Sequence, residues 1–89
     1  MGFAVLLHPK AAKELDKLER QIKDRMIARL EDLRDKPDTL GKILKPSDLW
    51  SLRIGDYRVI YEIDKPEKRI LVLFIGHKKK VYDDFSKLF

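Results

Sequence analysis

The chain has 89 residues, a formal net charge of +5 at pH 7 and no cysteine. This length predicts a single domain over residues 1–89, near the lower size at which an ordinary core is stable. The lack of cysteine excludes disulfides and zinc–cysteine sites. A membrane-spanning helix needs a run of about 18 apolar residues, and no apolar run in this sequence comes near that length. The N-terminal segment has no signal-peptide pattern, which predicts a cytoplasmic protein. A pI of about 9.5 is compatible with binding to nucleic acid or to an acidic protein.

The first half of the chain predicts a strand followed by helix. A short apolar run at residues 3–7 predicts the strand, which ends at His8 and Pro9. Apolar residues then recur at steps of three and four up to Pro37, as in a helix with one buried stripe. A single helix over residues 10–36 would be about 40 Å long, whereas a domain of this size has a radius of gyration of about 12 Å. We therefore expect a break near residues 19–22 and two antiparallel helices; the alternative is one long helix that packs on a partner.

Residues 49–61 predict a β-hairpin closed by the dipeptide Gly55-Asp56. This turn pairs Ile54 with Tyr57, Arg53 with Arg58, Leu52 with Val59 and Trp50 with Tyr61. Because side chains alternate between the faces of a strand, the apolar members of these pairs share one face. Arg53 and Arg58 lie opposite each other on the other face, where like charges repel. This placement favours a bound anion such as phosphate; the alternative is a solvated face on which nearby carboxylates pair with the arginines.

The remaining segments complete the predicted fold. A loop is expected at residues 39–48 and a turn at residues 64–68, and the apolar run at residues 70–75 predicts a strand covered on both faces. A short C-terminal helix is predicted from the spacing of Val81, Tyr82, Phe85 and Leu88 or Phe89. The order β-α-α-β-β-β-α predicts an α+β fold, with a helical hairpin and a short C-terminal helix packed on a small, mainly antiparallel sheet.

Candidate functional residues follow the last strand. Gly76 ends this strand, and His77 and the lysines Lys78, Lys79 and Lys80 come directly after it. His77 is a candidate general acid or base, or a structural residue satisfied by the backbone. The lysines gain interest because the end of this strand is expected to lie beside the hairpin. Tyr82 is a candidate for stacking on a nucleotide or hydrogen bonding to one.

The segments R-I-G-D-Y-R-V-I-Y-E-I and I-G-H-K-K-K-V-Y, with the apolar strand between them, resemble the RelE/ParE toxin superfamily, and its RelE-like branch in particular. The resemblance extends over the whole chain and implies the element order given above. It also implies a toxin of a type II toxin–antitoxin system. RelE-like toxins are neutralised by a cognate antitoxin and cleave messenger RNA in the ribosomal A site, whereas ParE-like toxins inhibit DNA gyrase.

The resemblance implies a catalytic set of Arg58, Lys78 and Tyr82. Arg58 matches the arginine that contacts the scissile phosphate, and Tyr82 matches a tyrosine at the substrate bases. Lys78 stands where RelE-like enzymes usually have a second arginine, and Leu49 and Ser51 stand where they have lysines on the strand that enters the hairpin. Arg53, Lys42 or Lys45 are candidates to replace those lysines. The further candidates for contacts to RNA and its phosphates are Arg53, His77, Lys79, Lys80 and Lys45.

The implied reaction is an attack of the RNA 2′-hydroxyl on the adjacent phosphate, with no metal ion and no cofactor. The implied partners are a RelB-like antitoxin, the ribosome and messenger RNA; no membrane is expected, and DNA binding is expected only through the antitoxin. Candidate docking surfaces for the antitoxin are the stripe of the helical hairpin and the apolar side of Val81, Phe85 and Phe89. Two alternatives stay open: a gyrase-inhibiting ParE-like toxin, and a catalytically weak antitoxin-binding module of the same fold.

Overall fold

The structure, a computed structural model, describes residues 2–45 and 47–87. This part of the chain forms five strands and four helices. The strands are β1 (Ala4–Leu7), β2 (Lys42–Ile43), β3 (Trp50–Ile54), β4 (Tyr57–Asp64) and β5 (Arg69–His77). The helices are α1 (Pro9–Asp16), α2 (Arg20–Leu33), α3 (Pro37–Leu40) and α4 (Lys78–Ser86). None of the described helices is long and apolar enough to cross a membrane.

The predicted break in the first helical region is confirmed, slightly earlier in the chain than expected. α1 ends at Asp16 and α2 begins at Arg20, so the break occupies residues 17–19 rather than 19–22. The two helices contact each other, and the radius of gyration is 12.1 Å, as expected for a compact domain of this length. The alternative of one long helix is therefore wrong.

The strands form one mixed sheet in the order β1-β5-β4-β3-β2. β1 pairs with β5 in parallel, from Ala4 opposite Arg69 onward, and the other three pairings are antiparallel. β5 lies between β1 and β4, which agrees with its apolar sequence because an inner strand has neighbours on both sides. The predicted α+β class and mainly antiparallel sheet are confirmed.

The hairpin of β3 and β4 has the predicted register. Arg53 lies opposite Arg58, Ile54 opposite Tyr57 and Trp50 opposite Tyr61. Gly55 has a φ of 59°, a left-handed conformation that a two-residue hairpin turn requires and that glycine adopts without a steric cost. The two arginines are thus cross-strand neighbours.

The sheet is covered unequally on its two faces. One face packs against α1 and α2 and forms the hydrophobic core. Its buried members are Ala11, Leu15, Met26, Leu30, Leu33, Leu52, Ile54, Val59, Tyr61, Ile70, Val72 and Ile75. On the other face α4 lies against β4 and β5, and both Val81 and Ile60 are buried outside that core cluster. The part of the second face that α4 leaves open carries the arginines.

The predicted loop at residues 39–48 is wrong in part. Residues 39–48 were expected to be loop, but α3 ends at Leu40 and β2 pairs with β3, with Lys42 opposite Ser51. The turn at residues 64–68 is confirmed, since β4 ends at Asp64 and β5 begins at Arg69. The predicted C-terminal helix is confirmed as α4. Pro46 in the expected loop, and Leu88 and Phe89 in the expected helix, lie outside the described residues.

Candidate functional site

A cleft of about 360 Å³ opens on the second face of the sheet, and we call it the basic cleft. It is lined by Leu40, Lys42, Leu44, Ser51, Arg53, Arg58 and Tyr82. Three of these side chains are cationic and none is acidic. Clefts lined by charge of one sign concentrate ligands of the opposite sign. The lining therefore favours a negatively charged ligand.

Arg53 and Arg58 are two of the cationic residues that line the basic cleft. Cβ atoms of directly opposed residues in antiparallel strands lie about 4.5–5.5 Å apart, so these two charges repel each other. Within residues 2–45 and 47–87, neither arginine forms an ion pair. The predicted alternative of a carboxylate-neutralised face is therefore not observed.

The hairpin turn fixes the guanidinium group of Arg58. Its Nη1 donates to the carbonyl oxygens of Gly55 and Tyr57, both at 2.8 Å. Its Nε and Nη2 have no hydrogen-bond partner in the described part of the chain. Arginine binds phosphate through two parallel N–H groups of its planar fork. The hairpin turn thus holds the Arg58 guanidinium through Nη1, and Nε and Nη2 remain free to donate to an anion.

Lys42 supplies a third cation from the neighbouring strand. Residues directly opposite in a sheet share a face, and Lys42 lies opposite Ser51 on β2. Sequence reasoning weighed Lys42 only as one replacement for the missing lysines, because a two-residue strand has no detectable pattern. Lys45, which was predicted to bind RNA, is exposed beyond β2 and does not line the cleft.

Tyr82 closes the cleft from α4. Its hydroxyl oxygen lies 3.3 Å from Oγ of Ser51, and either can be the donor. Its neighbour Val81 is buried against the sheet, whereas the Tyr82 side chain is 38% exposed. Ser51 was noted only as a departure from the family pattern, and its contact with Tyr82 had no sequence signal. The apolar lining residues Leu40 and Leu44 were also missed.

Lys78 lies beside the hairpin turn. Its backbone N–H donates to the carbonyl oxygen of Asp56 at 2.8 Å, which places the start of α4 next to the turn that holds Arg58. Lys78 and Tyr82 are four residues apart on one helix and so lie on the same side of it. Lys78 does not line the basic cleft itself, but it lies near the same end of the hairpin.

Two further predicted site residues, His77 and Lys79, are not brought into the cleft. His77 lies opposite Tyr57, and the two rings meet edge to face with centroids 5.8 Å apart. Tyr57 and Arg58 point to opposite faces, so His77 is directed away from the cleft. Its Nδ1 accepts a hydrogen bond from the backbone N–H of Lys79 at 3.4 Å and caps α4. Lys79 itself is exposed and outside the lining.

Lys80 is used to hold α4 against α1. Its Nζ donates to Oε2 of Glu14 at 2.8 Å, and this hydrogen bond lowers the pKa of Glu14 and raises the pKa of Lys80. A second ion pair, Lys10 with Asp84 at 3.3 Å, links the same two helices. Lys80 thus pairs with Glu14 in this conformation, and its contact with RNA stays a prediction.

Comparison with known protein families gives the class of the protein. The model of the family described as the ParE toxin of the type II toxin–antitoxin system parDE matches residues 5–82. The chain belongs to the RelE/ParE superfamily. It is a toxin of a type II toxin–antitoxin system, and the predicted superfamily is confirmed. No sequence among curated proteins matches this toxin significantly.

Solved structures share the fold of this toxin. The RelBE2 toxin–antitoxin complex of Mycobacterium tuberculosis matches with a TM-score of 0.81 and 28% identity, over 86% of this chain and 99% of that chain. The RelE–RelB complex of Pyrococcus horikoshii matches with a TM-score of 0.72 and 26% identity, over 86% and 96% of the two chains. A free Escherichia coli RelE mutant matches with a TM-score of 0.79 over 98% and 97% of the chains, but at 19% identity it supports the fold alone.

Proposed function

We propose that this toxin is an endoribonuclease that arrests translation by cutting messenger RNA on the ribosome. The observation that carries the proposal is the basic cleft, in which Lys42, Arg53 and Arg58 face one cavity beside Tyr82 without a lining carboxylate. Keeping two arginines directly opposed costs stability unless an anion joins them. The RNA backbone is an anion that such a site binds through phosphate contacts.

The proposed reaction is an internal phosphoryl transfer. The 2′-hydroxyl oxygen attacks the adjacent phosphorus, a P–O2′ bond forms and the P–O5′ bond breaks. The proton of the 2′-hydroxyl passes to a base, and another proton is delivered to the leaving 5′-oxygen. The products are a 2′,3′-cyclic phosphate and a 5′-hydroxyl. The transition state carries extra negative charge on phosphoryl oxygens, so fixed cations stabilise it more than the ground state.

The residues of the site divide this work. Arg58 binds the non-bridging oxygens, because its guanidinium is held at the hairpin turn and keeps free donors. Arg53 adds charge from the opposite strand. Tyr82 contacts the base or assists the nucleophile from the cleft wall, with its hydroxyl oriented by Ser51. Lys78, beside the hairpin turn, is placed to neutralise the leaving group. These four side chains need no metal ion or cofactor for their roles.

A second candidate function is inhibition of DNA gyrase. The family whose model matches this chain is described as the ParE toxin, and this match favours the second function. Two solved relatives above 25% identity are a RelE toxin with its RelB antitoxin and a RelBE2 complex, and these favour the first. We place RNA cleavage first because the cationic cleft with a bordering tyrosine is the kind of surface that binds a phosphodiester and a base.

The proposed partner that silences the toxin is a RelB-like antitoxin. The Mycobacterium tuberculosis and Pyrococcus horikoshii relatives were solved as complexes with antitoxins. Because the cationic lining of the basic cleft favours anions, an antitoxin segment that carries carboxylates fits the cleft as RNA does. The toxin then acts in the cytoplasm, where ribosomes translate, and reaches DNA only through its antitoxin.

Inducible expression with mapping of RNA ends tests the proposal. We expect growth arrest and new 5′-hydroxyl ends in translated messenger RNA, phased with codons. Arg58→Ala is expected to lower the cleavage rate about 100-fold or more, as removal of one preorganised transition-state donor does. Arg20→Ala, which removes an exposed arginine from the start of α2 outside the cleft lining, is the matched control. DNA damage with intact RNA would favour gyrase, and no arrest at all would reject both toxin activities.

A further inference from the structure

We infer that Lys42 is a substrate-contacting residue of the basic cleft and that Tyr61 and Gly41 are positioning residues that hold it there. This inference rests on the proposed function, since it names a further RNA contact of the same site. Lys42 comes from a short arm of the chain, residues 37–44 with α3 and β2, that contributes Leu40, Lys42 and Leu44 to the cleft lining.

Lys42 lines the basic cleft from the edge strand β2. It lies opposite Ser51, and the Ser51 side chain is occupied by its contact with the Tyr82 hydroxyl. Lys42 forms no ion pair among the described residues, so its ammonium group is available to an anion. A cation delivered from β2 therefore reaches the same face as the two arginines of the hairpin.

The arm is held by the buried Pro37, by Leu40 against the core and by a hydrogen bond from Tyr61. β2 pairs with β3 through only two residues, Lys42 and Ile43, and both are exposed. Tyr61 is fully buried, and its ring stacks with Trp50 at a centroid distance of 6.5 Å. Its hydroxyl donates to the carbonyl oxygen of Pro37 at 2.6 Å. A core side chain is thus bonded directly to the backbone at the start of the arm.

Gly41 is shaped to the same tyrosine. A Cβ on Gly41 would overlap the Tyr61 hydroxyl and would lie 2.9 Å from Cζ of the ring. The backbone of Gly41 is extended, with φ −98° and ψ 174°, which any residue adopts. Glycine is therefore needed at position 41 because there is no room for a Cβ beside Tyr61. Gly41 allows the arm to pass close to Tyr61, and this approach sets the position of the next residue, Lys42.

Binding of an uncleavable RNA tests the contact. The probe is a fluorescein-labelled single-stranded 2′-O-methyl oligoribonucleotide, titrated with the full chain at several salt concentrations. We expect Lys42→Ala to weaken binding about tenfold, as for loss of a charged hydrogen bond. We expect it to reduce the salt dependence by about 0.7 in the slope of log K, the value for one phosphate contact on a single strand. Lys42→Arg should retain the slope, and Lys13→Ala, on the exposed surface of α1, should change nothing.

The positioning role is tested in two backgrounds. Tyr61→Phe should weaken RNA binding several-fold in the unsubstituted chain and have no further effect when Lys42 is already alanine. A purely structural role would lower binding equally in both backgrounds, and that result would overturn the positioning claim. Gly41→Ala, which displaces the arm without changing the core residue, should behave as Tyr61→Phe does. Thermal unfolding of each variant measures the fraction that is folded under the conditions of the titrations.

The outcomes also separate this inference from the proposed function. If Arg58→Ala weakens binding and Lys42→Ala behaves as Lys13→Ala does, the inference fails and the RNA-binding cleft stands. If the unsubstituted chain does not bind the probe even at low salt, both fail.

Discussion

The hydroxyl oxygen of Tyr82 on α4 lies 3.3 Å from Oγ of Ser51 on β3, so one hydrogen bond joins the C-terminal helix to the hairpin at the wall of the basic cleft. Ser51 is buried at 9% exposure. A polar side chain buried at that level needs a partner, and Tyr82 provides it. The same contact orients the tyrosine that we place at the RNA.

Ser51 and Tyr82 should therefore be energetically coupled. Ser51→Ala and Tyr82→Phe are each expected to lower the free energy of unfolding by about 0.5–1.5 kcal/mol, the net value of a hydrogen bond. The double variant should lose less than the sum of the two, which urea denaturation of all four proteins measures. Strict additivity would show that the two hydroxyls do not interact in solution.

Arg53 is expected to be kept for function at a cost in stability. Arg53→Thr removes the repulsion with Arg58 and places a good strand former on β3, so it should raise the free energy of unfolding by about 0.2–1 kcal/mol at low salt. The same change should weaken RNA binding. Because salt screens exposed charges, the gain in stability should shrink at about 1 M salt. A gain that does not depend on salt would indicate strand propensity alone.

Tyr61 should make the toxin sensitive to strong alkali. Burial raises the pKa of Tyr61 to about 12 from an ordinary value of 10.0. The unfolded chain therefore loses this proton at lower pH than the folded chain does, so stability falls as the pH rises from about 10 to about 12. By linkage the loss approaches about 2–3 kcal/mol. Tyr61→Phe removes this dependence, and the difference between the two stability–pH curves isolates it from the other tyrosines and lysines.

Glu14 should help keep α4 in place under ordinary conditions. Its pKa is lowered chiefly by the hydrogen bond from Lys80, so its contribution is present above the unfolded pKa and is lost as the pH falls through the folded one. Glu14→Gln is expected to cost about 0.2–1 kcal/mol, as for an exposed ion pair. In the Glu14→Gln variant, the backbone amides of α4 should exchange hydrogen faster at neutral pH than in the unsubstituted chain. Lys17→Ala is a suitable control, because Lys17 lies 3.7 Å from Glu14 without joining it to α4.

Much of the fold followed from local patterns in the sequence, whereas contacts between distant segments did not. The register of Arg53 against Arg58 was predictable because alternation and the Gly55 turn act within a few residues. The places of His77 and Lys80 were also predictable in principle. Strand alternation sets His77 on the face opposite Gly76, and Lys80 is two residues from both Lys78 and Tyr82 on the helix. Nearness in sequence to Lys78 and Tyr82 does not bring either side chain into the lining of the basic cleft.

The position of Lys42, by contrast, was not predictable from local patterns in the sequence. Nothing within its own segment specifies β2, because two exposed residues have neither periodicity nor strong propensity. Its place depends on Tyr61, about 20 residues later, and on the space above that side chain. Contacts of this sort are set by tertiary structure, which overrides local preference. The sequence therefore indicates Lys42 only as one of three candidates, and the fold brings it into the cleft lining.

The parallel pairing of β1 with β5 also has a consequence for the order of events during synthesis. Ala4 pairs with Arg69, a separation of 65 residues, so the sheet cannot close while the nascent chain still ends within the hairpin. Contacts this distant in sequence slow folding because the loop must be ordered first. The basic cleft is lined by Tyr82 as well, so it cannot be complete until that residue has been synthesised. A ribosome making this protein therefore carries a chain without an assembled cleft until Tyr82 has emerged.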